Sequence, residues 1–113
     1  MKKQNNHLYE GMYVLSATLS DDARHKAIER IRLRKNEKGG EIKKTHERGR
    51  QRLAYQIEGH REGYYYLLYF TAPTSAIAEL WQEYHLNEDL IRFLTLRTDE
   101  VMEEIKFKPL AEQ

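Results

Sequence analysis

Histidines and acidic residues are the side chains of this sequence that could perform acid–base or metal chemistry. The five histidines are dispersed, and no two stand at the spacing that puts metal ligands on one helix face. Asp21-Asp22 and Glu103-Glu104 are adjacent residues, which do not share a helix face and make poor acid–base dyads. Cysteine is absent, which excludes disulfides, cysteine-based zinc sites and thiol nucleophiles. We therefore expect no catalytic residue, no metal, no cofactor and no small-molecule substrate.

A basic cluster is the better candidate for binding chemistry. Its members fall within ten residues and are Lys43, Lys44, Arg48, Arg50 and Arg52. The arginines share parity, so they project from one face of a continuous strand, or line a protruding hairpin arm if pairing breaks at Gly49. Guanidinium groups suit phosphate oxygens, and Arg92 and Arg97 extend the patch if they share its face. The alternative is a solvated strand face that only keeps the protein soluble.

Aromatic residues between positions 64 and 70 alternate between two faces of a strand. The parity that contains Phe70 and Leu68 is the better core face, and Tyr64 and Tyr66 belong to it. The other set is expected on a wet, helix-free face, and it consists of Tyr65, Leu67 and Tyr69. Tyrosine is enriched at interfaces, so we assign this set, together with Tyr9, to a protein-partner surface.

The elements that position these residues follow from hydrophobic periodicity and turn signals. A strand at 8–15 precedes a helix from about Asp21 to about Lys38, which Ser20 caps and Gly39-Gly40 stops. The chain is then extended over 41–57 with an interruption at 47–49, turns at 59–63 and forms a strand over 64–71. Pro73 opens a second helix whose apolar stripe is Ile77, Leu80, Trp81 and Tyr84, and a last strand spans 90–97. The order predicts a ferredoxin-like βαββαβ sandwich of the α+β class, with a four-stranded antiparallel sheet and two helices on one face.

Length and composition fit one small domain. The chain has 113 residues, 40% of them hydrophobic and 33% charged, with a net charge of +1. No apolar run approaches the roughly 20 residues that span a bilayer, and the basic start lacks the apolar segment of a secretory signal. We expect a cytoplasmic protein with no membrane contact. Residues 1–98 should form the domain, and 99–113 a tail that is either a short helix or an extended arm.

The segment from Gly49 to Ile57, which reads Gly-Arg-Gln-Arg-Leu-Ala-Tyr-Gln-Ile, resembles the signature of the bacterial ribosomal small-subunit protein six family. The likeness extends from about Leu8 to Arg97 and includes Tyr9-Glu10, Gly39-Gly40, Gly63-Tyr64 and Arg92. Gln51 and Glu58 depart from the signature by reducing positive charge, and neither is assigned to RNA binding.

This resemblance implies a ferredoxin-like fold, a heterodimer with small-subunit protein eighteen, and binding to the central domain of small-subunit (16S) rRNA, without catalysis or cofactor. Arg50 and Arg52 match signature positions near RNA, and Arg92 matches a strand-four arginine. One alternative is a single-strand RNA binder similar to RNA-recognition-motif domains, with bases stacked on Tyr65 and Tyr13. A more distant alternative is a small ligand-sensing or acyl-phosphate-hydrolysing domain of the same topology.

Overall fold

Four strands and two helices follow one another in the predicted order. The computed structural model describes residues 6–103. The elements are β1 (Asn6–Ser16), α1 (Asp21–Glu37), β2 (Glu41–Ile57), β3 (His60–Pro73), α2 (Thr74–His85) and β4 (Leu90–Arg97).

The strands form one antiparallel sheet in the order β2-β3-β1-β4. Both helices pack on the same face, where Ile31 of α1 and Leu80 of α2 meet Leu68 and Phe70 of β3 in the main core. The predicted ferredoxin-like sandwich is confirmed. The face without helices is the one available for additional contacts.

Local chemistry accounts for the bounds of α1. The Ser20 hydroxyl accepts a hydrogen bond from the backbone N–H of Ala23 at 3.1 Å, which satisfies a donor of the first turn. At the other end the backbone turns left-handed at Gly39, with φ of 89°. Glycine adopts this conformation without steric cost, so the helix stops there. The predicted cap and stop are both confirmed.

The β2–β3 hairpin turns earlier than the sequence predicts. The two turn residues are Glu58 and Gly59, with φ of 49° and 85°, and β3 already begins at His60. The predicted turn over Gly59–Gly63 is therefore wrong. A two-residue turn with both φ values positive matches the twist of the flanking strands, and Ile57 pairs with His60 directly beside it. Further from the turn, the pairing is irregular between Arg52 and Ile57.

The predicted interruption of β2 is confirmed as a break in register. Pairing with β3 shifts between Glu47 and Gly49, and Gly49 has φ of 79°. Such a bulge bends a strand and increases its twist. The remainder of β2 and the start of β3, residues 49–63, form what we call the hairpin arm.

The segment that follows β4 crosses the helix-free face of the sheet. Thr98 still donates its N–H to the carbonyl of Leu8 at 3.0 Å. Beyond it, residues 99–103 form no helix and reach β2, where the carbonyl of Met102 lies 2.7 Å from His46 Nε2. These first residues of the predicted tail are therefore an extended arm, and residues 104–113 lie outside the described part of the chain.

Candidate nucleic-acid interface

The two faces of β3 are divided as its alternation predicts. Tyr66, Leu68 and Phe70 lie in the main core beneath the helices, and Tyr64 packs against it. Tyr65 lies on the opposite face, in a second apolar cluster with Val14 and Leu53.

The expected exposure of the helix-free face is corrected, because its tyrosines are covered. Tyr65 is 3% exposed and Tyr69 is 1% exposed, while Leu67 is half-buried. Leu53 and Ile57 of the hairpin arm pack on the Tyr65 cluster. Tyr69 instead lies where residues 99–103 cross the sheet. Neither tyrosine offers a ring to an incoming partner without movement of these segments.

Tyr69 has its own polar partners on this face. Its hydroxyl donates to Glu10 Oε2 at 2.8 Å, and the His46 ring stands edge-on at 6.0 Å between centroids. Burial, followed by the hydrogen bond to the Glu10 carboxylate, raises the pKa of Tyr69 to about 12. Tyr69 therefore stays neutral and structural at physiological pH.

Tyr9 was expected on the partner surface, and the structure places it on the opposite face. It pairs directly with Phe70, and their rings stack with centroids 5.7 Å apart in the main core. Residues directly opposite in a ladder share a face. Its parity with Tyr13 and Leu15 within β1 is the sequence signal that identifies this placement.

The base-stacking positions of the single-strand RNA-binding alternative are not available. Tyr13 is 0% exposed and belongs to the main core beneath the helices, and Tyr65 is buried on the other face. A base stacks on an exposed ring, and these two rings do not even share a face.

Several cations of the basic cluster already have carboxylate partners. Lys43 pairs with Glu41 at 3.0 Å, and Lys44 pairs with Glu103 of the crossing segment at 3.4 Å. Arg50 pairs across the hairpin with Glu62 at 3.0 Å, which raises its pKa. Arg48 is half-buried beside the bulge at Gly49. Arg52 is exposed on the arm, and no ion pair involves it within residues 6–103.

The two arginines of β4 lie on different faces. Arg92 is opposite Val14 and therefore on the helix-free face, whereas Arg97 is opposite Tyr9 and on the helix side. Arg97 Nη2 lies 2.6 Å from His7 Nδ1, at the end of the sheet away from the hairpin arm. By the same rule Arg50, opposite Tyr64, and Arg52, opposite Glu62, have the parity of the helix side, so Arg92 does not share their face of the strand. Arg92 is instead close to the arm through Tyr55, whereas Arg97 is distant from it.

Two further residues, Tyr55 and Arg61, belong to the surface of the hairpin arm, although neither was predicted as a site residue. Tyr55 is 64% exposed, and its hydroxyl accepts a hydrogen bond from Arg92 Nη1 at 3.3 Å. A shallow cleft of about 200 Å³ beside it is lined by Arg52, Leu53, Tyr55, Gln56 and Arg61. Arg61 was predicted to lie in the turn over 59–63, so its position on β3 was not expected. Tyr55 lies inside the family signature of residues 49–57, and this was the sequence signal that could have identified it.

The described residues contain no group of His, Asp and Glu side chains that could hold a metal ion. None of the helices in the described part of the chain is long and apolar enough to cross a membrane.

Comparisons with known proteins agree with one another. The family model for ribosomal protein S6 matches residues 8–97. The chain is 74% identical over 113 residues to small ribosomal subunit protein bS6 of Protochlamydia amoebophila, covering 100% of this chain and 99% of that protein. It is 58% identical over 112 residues to bS6 of Chlamydia abortus, covering 99% and 100%.

A solved structure shows the same architecture. The crystal structure of 30S ribosomal protein S6 from Thermotoga maritima superimposes with a TM-score of 0.79 at 27% identity, covering 83% of this chain and 89% of that one. The matched span of the family model, 8–97, runs from β1 to the end of β4. On these grounds the chain belongs to the ribosomal protein S6 family.

Proposed function

We propose that this chain is a structural constituent of the small ribosomal subunit in the cytoplasm, where it binds small-subunit (16S) rRNA as a heterodimer with small-subunit protein eighteen. The observation that carries the proposal is the family match over residues 8–97. The role requires surfaces for RNA and protein, and it requires neither a catalytic residue nor a cofactor.

The RNA contact is assigned to the hairpin arm and the neighbouring part of β4. Arg50 and Arg52 are exposed on the arm, and Arg92 of the helix-free face reaches the arm at Tyr55. Exposed guanidinium groups bind phosphate oxygens through paired N–H donors. Lys43 and Lys44 can contribute after leaving Glu41 and Glu103, and Arg48 lies at the base of the arm. Arg97, on the helix side, is expected to contribute least.

The protein contact is assigned to the helix-free face near β4. Leu67, Met12 and Leu94 face one another across β3, β1 and β4, and Leu94 is 47% exposed. Leu96, two residues further along β4, is 50% exposed. These leucines, with Leu67, are a more accessible apolar surface than the covered Tyr65 and Tyr69. Burial of exposed apolar surface is a favourable driving force for protein–protein association.

The net charge of +1 supports a shared RNA contact. Most nonspecific affinity for nucleic acid comes from phosphate neutralisation, and three of the five cations of the basic cluster, Lys43, Lys44 and Arg50, already pair with carboxylates. A more basic partner would supply the remaining phosphate contacts.

The test measures binding of the full chain to a central-domain fragment of 16S rRNA, with and without protein eighteen. We expect weak binding alone and much tighter binding with the partner. Combined Arg50→Ala and Arg52→Ala should weaken the ternary complex and reduce its salt dependence, whereas Arg30→Ala, an exposed charge change on α1, should not. If the double variant and the wild type bind equally, Arg50 and Arg52 do not bind RNA and only keep the strand face soluble. Tight binding of short single-stranded RNA by the chain alone would instead favour the single-strand RNA-binding function.

A further inference from the structure

Tyr55 is an exposed aromatic side chain on an otherwise packed side of the hairpin arm. Leu53 and Ile57, two residues before and after it, point into the Tyr65 cluster, and Leu53 is 7% exposed. Pairing between β2 and β3 is irregular between Arg52 and Ile57, and in this stretch Tyr55 remains 64% exposed. Its ring therefore contributes little to the core and is accessible to a ligand.

The Tyr55 hydroxyl is held in place while the ring remains accessible. Arg92, which reaches the arm from β4, donates Nη1–H to the hydroxyl oxygen at 3.3 Å. Leu53, a member of the Tyr65 cluster, lines the cleft beside the ring. A ring that is fixed before binding loses less conformational entropy when a ligand stacks on it.

The positive charge around Tyr55 is not neutralised by neighbouring carboxylates. Arg52 and Arg61 line the cleft beside the ring, and no ion pair involves either of them within residues 6–103. Glu62, which faces Arg52 across the hairpin, is bound to Arg50 at 3.0 Å. The guanidinium groups of Arg52, Arg61 and Arg92 thus lie close to the exposed ring of Tyr55.

We propose that the arm binds an unpaired rRNA base stacked on Tyr55, with the flanking phosphates held by Arg52, Arg61 and Arg92. This assignment rests on the proposed rRNA binding and adds a specific subsite to it. Aromatic rings bind splayed-out bases by stacking, and arginines beside them bind the backbone. The cleft of about 200 Å³ is smaller than the roughly 300–1,000 Å³ of ordinary small-molecule pockets, so it suits one flat ring.

RNA fits this surface better than a protein partner does. Binding a basic protein here would bring like charges together, which costs free energy. The accessible apolar residues of the helix-free face, Leu94 and Leu96, follow Arg92 along β4, and neither of them lines the cleft beside Tyr55. Gln56 in the cleft adds an amide, which can both donate to and accept from a base edge.

The test compares Tyr55→Leu, which removes the ring, with Tyr55→Phe, which keeps the ring and loses only the hydroxyl. The readout is the affinity of the full chain, together with protein eighteen, for the central-domain fragment of 16S rRNA. We expect Tyr55→Leu to weaken binding by about 5- to 150-fold, the range of a lost base–aromatic stack. Tyr55→Phe keeps the ring but loses the hydrogen bond from Arg92, so it should weaken binding clearly less than Tyr55→Leu does. Ultraviolet cross-linking of the wild-type complex, followed by mass spectrometry, should place a cross-link on Tyr55.

Charge variants supply a second, matched comparison. Arg61→Gln should weaken RNA binding and reduce the salt slope, whereas Arg30→Gln removes the same charge from α1 and should do neither. Equal affinity of Tyr55→Leu and wild type overturns the subsite and leaves the proposed function standing. Failure of the wild type to bind rRNA overturns both. If Tyr55→Leu releases protein eighteen but retains RNA, the ring belongs to the protein interface and the subsite is wrong.

Discussion

At the scale of single residues, Lys35 is the side chain whose surroundings differ most from its ordinary environment. It is 0% exposed, and its ammonium nitrogen lies 4.4 Å from the centroid of the Tyr13 ring and 4.7 Å from that of Phe70. It donates a hydrogen bond to the Tyr84 hydroxyl at 2.6 Å and contacts the carbonyl of Ile31 at 3.4 Å. Cation–π attraction offsets part of the cost of removing the charge from water.

Stability should depend on pH through this lysine. Burial, opposed by the charge of Glu83, lowers the pKa of Lys35 well below the ordinary 10.5. The unfolded chain therefore binds more protons between the lowered pKa and 10.5, so the free energy of unfolding rises with pH in that window. Burial raises the pKa of Tyr13 and raises that of Tyr84 to about 12, so above about pH 10 the trend reverses.

Urea denaturation between about pH 7 and about pH 10 measures this dependence. Lys35→Met keeps an apolar side chain of similar length in the core and should remove the alkaline rise. A wild-type protein whose stability is constant over the range would contradict the expected pKa difference between the folded and unfolded states.

Tyr65 and Tyr66 should both be needed for stability, although they lie on opposite faces of β3. Each is 3% exposed. Tyr66 also accepts a hydrogen bond from Arg24 Nε at 2.9 Å. Truncating a buried aromatic to alanine costs about 3–5 kcal/mol, so both alanine variants should melt far below wild type. Tyr55→Ala is the exposed control and should change stability by no more than about 0.5 kcal/mol. A mild effect at Tyr65 would mean that the arm does not cover it in solution.

At the scale of elements, the hairpin arm is the part of the fold that brings the site together. The bulge at Gly49 and the turn at Glu58-Gly59 direct its residues over the helix-free face. Leu53 and Ile57 attach the arm to the Tyr65 cluster. The same attachment brings Tyr55 within hydrogen-bonding distance of Arg92 on β4.

The turn itself should be open to stabilisation. Glu58 has φ of 49°, a left-handed conformation that asparagine tolerates better than glutamate does. Glu58→Asn should raise the free energy of unfolding by about 0.5 kcal/mol or more, as judged from denaturation midpoints. Glu58→Gln removes the same charge without the backbone preference and serves as the control. If the two variants are equally stabilised, charge and not conformation is the cause.

At the scale of the whole molecule, the two faces of the sheet are covered by different parts of the chain. One face carries both helices and the main core. The other is covered in part by the chain itself, through the hairpin arm and residues 99–103. The accessible residues there include Leu94 and Leu96 of β4, and Arg92 beside Tyr55.

This distribution predicts a shallow salt dependence for the isolated chain. Each neutralised phosphate contributes roughly 0.9 to the slope of log affinity against log salt concentration, and only about four arginines border the arm's exposed surface. Filter binding of the rRNA fragment over a salt series should therefore give a slope of magnitude below about 4 for the chain alone. The slope should become steeper when protein eighteen is added. A steep slope without the partner would mean that additional cations, such as Lys43 and Lys44, leave their carboxylates to bind RNA.

The sequence by itself determined the order of the elements, the fold class and the division of β3 into two faces. These depend on local spacing: the periods of helix and strand, the Ser20 cap and the glycines at left-handed positions. The family signature of residues 49–57 was also readable locally. For the same reason Tyr9 could have been placed with Tyr13 and Leu15 by parity within β1.

Only the tertiary structure decided what covers each face. The alternation of side chains along a strand predicts which side of the sheet a residue occupies. Whether that side chain is buried depends on segments that are distant along the chain. Tyr65 is covered by the arm, and Tyr69 lies beneath residues that follow β4. Likewise the Arg92–Tyr55 contact joins residues 37 positions apart, and Tyr55 lies in a stretch of β2, between Arg52 and Ile57, where the irregular pairing with β3 follows from no local pattern.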